Sequence, residues 1–148
     1  IADFTVSTAA LYGGNLIIKD GKVGINTAAP DELLTVKGKI HTQEVKVDLL
    51  GALVPDYVFA EDYQLKTLPE VEKYIKENHH LPEIPSAKEI EQNGLMLAEM
   101  NLNLLKKIEE MTLHLIEQNK VVTEQQKAIE ALKKSVAQLE IVLQPRNR

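Results

Sequence analysis

Residues 97–143 read LAEMNLNLLKKIEEMTLHLIEQNKVVTEQQKAIEALKKSVAQLEIVL, and this stretch decides the fold of the chain. Alternating steps of four and three residues from its first leucine reach fourteen positions, of which eleven are apolar. The chain as a whole is 44% hydrophobic, so an unpatterned stretch would give only about six. No Pro or Gly interrupts it. A stripe sustained over nearly seven heptads predicts a coiled coil, on the order of 70 Å long at 1.5 Å per residue.

These fourteen positions define a predicted oligomerisation seam. They are Leu97, Asn101, Leu104, Ile108, Met111, Leu115, Gln118, Val122, Gln125, Ile129, Leu132, Val136, Leu139 and Leu143. A single chain of 148 residues offers nothing long enough to cover such a helix, so the pattern predicts copies of the chain or a partner helix. The polar members Asn101, Gln118 and Gln125 are interpreted as residues that set register rather than as ligands.

The residues of the seam leave the number of strands open. β-branched residues at the a positions with Leu at the d positions favour a parallel dimer. Leu105, Val121, Ala128 and Val142 make the flanking e and g positions apolar, and few opposite-charge pairs flank the seam. A wider apolar face of this kind favours more than two strands.

Residues 1–50 have the pattern of short β-strands and tight turns, because they hold five of the seven glycines and alternate in hydrophobicity. Asp20-Gly21 lies between two β-rich runs and predicts a two-residue hairpin. LLTVKGKI repeats this pattern around Lys37-Gly38, and EVKVDL at 44–49 alternates with period two. We therefore expect a β-rich fibre segment here.

Residues 51–95 are mixed in character and predict a small α+β domain between the β-rich segment and the coiled coil of 96–148. TLPE at 67–70 is a capping box and predicts a helix over 68–78. SAKE at 86–89 repeats the box and predicts a shorter helix that stops at Asn93-Gly94. The expected fold class is α+β.

The words ENHHLPEIPS at 77–86 raise the question of a metal site. Two prolines push the backbone toward extended geometry, where the adjacent side chains of His79 and His80 point in opposite directions. The other histidines, His41 and His114, lie in the β-rich segment and in the long helix, with no spacing that converges. We expect a connecting turn without a metal.

Composition excludes several further classes. The net charge is −5 and there is no basic stripe, so nucleic-acid binding has no support. The sequence contains no run of 18 apolar residues, so no membrane span is predicted. Cysteine is absent and aromatic content is 4%, which disfavours thiolate chemistry and an aromatic-lined cofactor pocket. Ser86 and Lys88 resemble a catalytic dyad, yet capping explains Ser86. We predict no enzyme, no catalytic residue and no cofactor, and Ile1 suggests a fragment or a processed chain.

Two stretches resemble one family. VGINTAAPDELLTVKGKI at 23–40 resembles a segment that recurs in phage tail-fibre proteins and in tail-fibre-domain surface proteins of Bacteroidetes-type bacteria. The run 55–120, from PDYVFAEDYQ through the HLPEIPS turn and the EMN start of the long helix, resembles the C-terminal region of the same proteins. The resemblance implies a trimeric fibre tip on a virion tail or a bacterial cell surface. Its C-terminal part would act like an intramolecular chaperone, similar in role to those of endosialidase-type tail spikes.

Those chaperones cut themselves before a Ser-Asp pair, which this chain lacks, so we expect it to stay intact. The coiled coil would hold three chains, or two as the second choice, in register for β-fibre folding. The middle domain would pack its short helices on the bundle through Val71, Tyr74, Ile75, Leu81, Ile84 and Ile90. The alternative is a receptor- or glycan-binding tip that exposes Tyr57, Phe59, Tyr63 and the His79-His80 turn.

Overall fold

The computed structural model of the chain describes residues 4–7, 15–48 and 54–143. These residues form an α+β protein, with a sheet in the N-terminal part and a long helix in the C-terminal part. The chain divides into two compact units, Ile1–Val47 and Asp48–Arg148. The predicted α+β class is therefore confirmed.

The first unit is built on a four-stranded sheet with the order β1-β2-β3-β4. Its strands are β1 (Phe4–Ser7), β2 (Asn15–Lys19), β3 (Lys22–Ile25) and β4 (Leu34–Val36). β2 pairs antiparallel with both β1 and β3, whereas β4 runs parallel to β3. Asp20 and Gly21 join β2 to β3 with φ angles of 50° and 78°, the positive pair that a type I′ turn needs. The predicted hairpin at this position is confirmed.

Only the eight residues 26–33 connect the parallel strands β3 and β4, although such pairs usually need a crossover of about a dozen residues or more. Asn26 turns the chain with a φ of 59°. A Cβ on Gly24 would lie 2.5 Å from the carbonyl oxygen of Thr27, so only glycine lets the loop fold back this closely. The buried Thr35 hydroxyl donates to Asp31 Oδ1 at 2.6 Å and accepts the Asp31 and Glu32 amides. The loop is thus closed by its own side chains.

The strands predicted beyond β4 are not formed. Gly38 does not adopt a positive φ, so a two-residue hairpin around Lys37-Gly38 was a wrong prediction. The described part of EVKVDL, residues 44–48, is not a strand either. Locally, the Glu44 carboxylate accepts the amide of Val45 at 2.9 Å, a bond that competes with strand pairing. Leu49 lies outside the described residues.

The described part of the second unit contains, in chain order, a 3-10 helix and three α-helices. The 3-10 helix is Pro55–Phe59, and the α-helices are α1 (Leu68–Asn78), α2 (Ala87–Asn93) and α3 (Leu97–Leu143). Both predicted capping boxes are present, in Thr67 with Glu70 and in Ser86 with Glu89. No helix in the described residues is long and apolar enough to cross a membrane.

The core of the second unit is small. Val58 is 1% exposed and is the buried hydrophobic side chain among the described residues, with Pro55 and Pro82 also buried. The contact of α3 with an earlier element is made by the 3-10 helix rather than by α1 or α2. The unit therefore holds its helices with little apolar burial of its own.

Candidate functional site: two faces of the long helix

The seam side chains follow one face of α3 and are left uncovered by the described chain. Exposure of the apolar members runs from 42% at Leu104 to 70% at Leu97, and the polar members are exposed as well. Leu143 ends the helix, and its side chain lies outside the described part. Fully burying one such side chain stabilises a fold or an interface by about 1.5–3 kcal/mol. Ten of them exposed to water form a large apolar surface of the kind that marks an interaction site.

The covered face of α3 lies away from the seam and is largely polar, with the half-buried Leu102 and Leu113 beside its charged residues. Lys106, Lys107 and Glu110 have side chains that are only 14–16% exposed. Glu109 is buried, and its Oε2 finds no hydrogen-bond partner in the described structure. In heptad terms these four residues occupy f, g, b and c, whereas the apolar seam occupies a and d.

Residues 55–66 and the turn 81–84 cover this polar face, and we call them the clasp. The Tyr63 hydroxyl donates to Oε1 of Glu110. Nε2 of His114 lies 3.1 Å from the Lys66 carbonyl, which can only accept, so this nitrogen carries the proton. The Lys106 ammonium lies 5.6 Å from the centre of the Tyr57 ring, within reach of a cation–π interaction.

Ion pairs continue the contact from Tyr63 to the turn. Oε2 of Glu83 lies 2.7 Å from Nζ of Lys106 and 3.1 Å from Nζ of Lys107. The Lys107 ammonium also donates to Oε2 of Glu110 at 2.8 Å. Two cations and two anions therefore balance in one chain of bonds, and we call Tyr63, Glu83, Lys106, Lys107 and Glu110 the charged cluster.

These contacts shift the pKa values of Tyr63, Glu83 and Lys106. Burial, followed by the hydrogen bond to Glu110, raises the pKa of Tyr63 to about 12. Burial works to raise the pKa of Glu83, yet the hydrogen bonds from Lys106 and Lys107 outweigh it and hold that pKa below its usual range. Burial likewise works to lower the pKa of Lys106, and its bond to Glu83 raises it instead. The charged forms of both ion-pair partners are thus favoured by each other.

The turn that carries Glu83 has an unusual residue at its third position. The Leu81 carbonyl, at the first position of the turn, accepts a hydrogen bond from the Ile84 amide at 3.2 Å. Pro82 occupies the second position. Glu83 stands third with a φ of 66°, in the left-handed region where a type II turn prefers glycine. The position of its carboxylate between two lysines gives the reason for a glutamate here.

The histidine pair also lies in a turn. His79 ends α1 with a φ of 62°, so the predicted extended geometry was wrong at this residue, because the helix stops in a left-handed cap. Nδ1 of His80 lies 3.0 Å from the Leu81 carbonyl, and its ring meets Tyr74 edge-on at 5.6 Å. Across the described ranges no three His, Cys, Asp or Glu residues are grouped to hold a metal ion.

The remaining candidate residues have structural partners. The Ser86 hydroxyl accepts the Glu89 amide at 3.3 Å and donates to its carboxylate at 2.7 Å, so it is engaged in the cap of α2. The six side chains expected to pack on a helix bundle are half-buried or exposed within one chain. Their packing against other copies stays a prediction.

Comparison of the chain with protein-family models, with curated proteins and with solved structures finds no match.

Proposed function

We propose that this chain is a trimerising, intramolecular-chaperone-like C-terminal segment of a tail-fibre or surface-fibre protein, carried on a virion tail or a bacterial cell surface. The observation that carries the proposal is the bare apolar seam on α3. The clasp contacts the helix on its polar side, which leaves the a and d positions available to other copies. In this proposal the chain is a structural protein, with no catalytic residue and no cofactor.

The sheet offers a second surface of the same kind. Strand register places six apolar residues on one face, namely Leu16, Ile18, Val23, Ile25, Leu34 and Val36. None of these six is buried in the described structure. The opposite face carries Ile17, Gly24 and Thr35 in register. Each unit, taken by itself, therefore has an apolar face that a second and a third copy would cover.

Flanking positions support three strands over two. Leu105 at e and Val121 at g are both exposed in the single chain. A dimer covers mainly a and d, whereas three helices bury part of e and g as well. The resemblance of residues 23–40 and 55–120 to tail-fibre proteins also favours three chains.

The proposed mechanism is a reduction in the entropy of assembly. β-structures that pair across separate chains nucleate slowly, and their open edges aggregate while they wait. A coiled coil holds the chains in parallel register, so the later contacts form at the high effective concentration of one particle. The helix acts as the nucleus, and the sheets fold as a consequence.

The seam is tested by a charge placed inside it. Ile129→Asp puts one carboxylate per chain into the buried seam, where desolvation costs several kcal/mol per ion and like charges repel. We expect light scattering to give three chains per particle for the parent protein and mostly monomer for the variant. Glu130→Lys, one residue away on the exposed side, is the control and should remain trimeric. A monomeric parent protein, or equal assembly of both variants, would contradict the proposal.

A receptor- or glycan-binding tip is the second candidate function. Tyr57 and Tyr63 have ring centres 6.0 Å apart beside a cleft of about 410 Å³, and Phe59 is exposed nearby in sequence. Ligand sites are lined mainly by apolar and aromatic side chains with a few polar groups, and Asp62 and Gln64 supply such groups in this cleft. Binding of the intact protein on a glycan array, lost in Tyr57→Ala, would favour this candidate.

A further inference from the structure

The two faces of α3 are held by different kinds of interaction. The seam contains Leu, Ile, Val, Met, Asn and Gln, and none of its fourteen side chains ionises. The clasp is tied to the helix through the charged cluster, in which all five side chains ionise. A change of pH therefore acts on one face of the helix and leaves the chemistry of the other unchanged.

We propose that the charged cluster is an acid-released latch, which frees the clasp from the outer face of α3 when its carboxylates take up protons. The latch lies within one chain and does not depend on the seam being occupied. Glu83 accepts from both lysines, and Glu110 accepts from Lys107 and Tyr63. Protonating these two carboxylates removes every negative charge from the cluster and leaves two ammonium groups that are mostly buried.

The sign of the effect follows from Glu83. Its pKa is lower in the folded chain than the ordinary value of 4.5, so it stabilises the clasp above that value and loses this contribution as pH falls through its lowered pKa. At the alkaline end, the raised pKa values of Lys106 and Tyr63 keep both groups protonated well past neutrality. The latch is therefore closed across neutral pH and opens in acid.

The backbone of the turn adds to the release. Glu83 is held at a φ of 66°, which is strained for a residue with a Cβ. Its bonds to Lys106 and Lys107 oppose that strain. Once these bonds are lost, relaxation of the turn favours the open clasp.

Other charged groups face the cluster and do not reverse this sign. Asp62 and Lys66 line the same cleft, and both are exposed to solvent. His80, Glu89 and Glu99 line a second cleft with Glu83, where His80 contacts the Leu81 carbonyl and Glu89 caps α2. His114 contacts the Lys66 carbonyl through a nitrogen that already carries a proton, so acid does not break that bond. Glu109 is buried beside the cluster and makes no ion pair among the described residues, so its protonation breaks no bond to the clasp. Glu83 and Glu110 are the groups whose protonation removes contacts.

The latch is tested on the full chain by following the ring NMR signals of Tyr57 and Tyr63, assigned through their Phe variants, as pH is lowered from 7. We expect one acid step in both rings. Light scattering over the same range should show an unchanged particle mass. Absence of the step would overturn the proposal, and a particle that dissociates at the same pH would overturn the separation of latch from seam.

Glu83→Gln keeps the shape of the side chain and removes its charge. The open clasp should then become about tenfold more populated at pH 7, since hydrogen bonds to charged groups are the stronger ones, and the acid step should shrink. Glu77→Gln on the exposed side of α1 is the matched control and should keep the full step. An unchanged step in Glu83→Gln would overturn the latch. A monomeric mass at every pH would contradict the proposed trimer but not the latch.

Discussion

The first third of α3 and its remainder share one heptad pattern and differ in what lies against them. Residues 97–114 have the clasp on their polar side, whereas all described side chains from 115 to 141 are exposed. The seam is equally bare in both regions. The contacts that cover one side of the helix therefore use none of its apolar seam residues. The comparison teaches that contacts within the chain and the heptad stripe serve different partners.

The uncovered region has little of its own to stabilise it. Lys120 lies 3.3 Å from Glu117 and Lys127 lies 2.8 Å from Glu124, and all four side chains are exposed. Exposed pairs of this kind contribute about 0–1 kcal/mol. In the proposed trimer, most of the stability of residues 115–143 would come from burial of the seam by other copies.

Truncation after Asn119 breaks the comparison most completely, because it removes half of the seam positions and none of the clasp. About three heptads remain, so the seam loses half of the burial that would hold three chains together. We expect loss of the trimer in light scattering, with the NMR signals of Tyr57 and Tyr63 kept as in the full chain. A truncated chain that still associates in threes would place the nucleus of assembly outside the second half of the helix.

Val58→Ala acts on the clasp and leaves the seam intact. Removing two buried methyl groups should cost about 2 kcal/mol in the free energy of docking the clasp, including the cavity term. Thermal unfolding followed by the tyrosine signals measures this loss, while particle mass stays constant. Val54→Ala removes the same groups from an exposed side chain and serves as the control. Equal losses in the two variants would mean that Val58 is no core residue.

Thr67→Ala gives a smaller effect, on α1 alone. The Thr67 hydroxyl accepts the Glu70 amide at 3.4 Å and donates to its carboxylate at 2.7 Å, and loss of such a cap costs about 1 kcal/mol. Amide hydrogen exchange over 68–78 should report it. Thr123→Ala is the matched control, because that threonine lies inside α3, where Ala is the better helix former. The two substitutions should therefore change local stability in opposite directions.

Local features of this fold could be predicted from the residues. The Asp20-Gly21 turn, the two capping boxes and the uninterrupted length of α3 each depend on residues within a few positions of one another. Turn chemistry and caps act at that range, so a single sequence contains the information. The seam follows from periodicity in the same way, although its occupant does not.

Features that depend on distant residues were missed. Tyr63 and Glu110 are 47 residues apart, and nothing in the spacing of either indicates that they meet. The parallel pairing of β3 with β4 was missed because Gly24 matters through its approach to Thr27 rather than through a turn of its own. A partly covered Lys-Glu cluster has the same sequence pattern as any solvated helix face. Lys106 and Lys107 therefore gave no signal that could have marked the clasp.

The separation of 47 residues between Tyr63 and Glu110 has a consequence for synthesis of the chain. At roughly 5–20 residues per second, Glu110 leaves the ribosome some two to nine seconds after Tyr63. During that delay Val58 has no helix to pack against and remains open to chaperones and proteases. The clasp cannot close until the helix that it packs against has been synthesised. The time for which it stays open in the newborn chain is therefore set by the speed of translation rather than by the speed of folding.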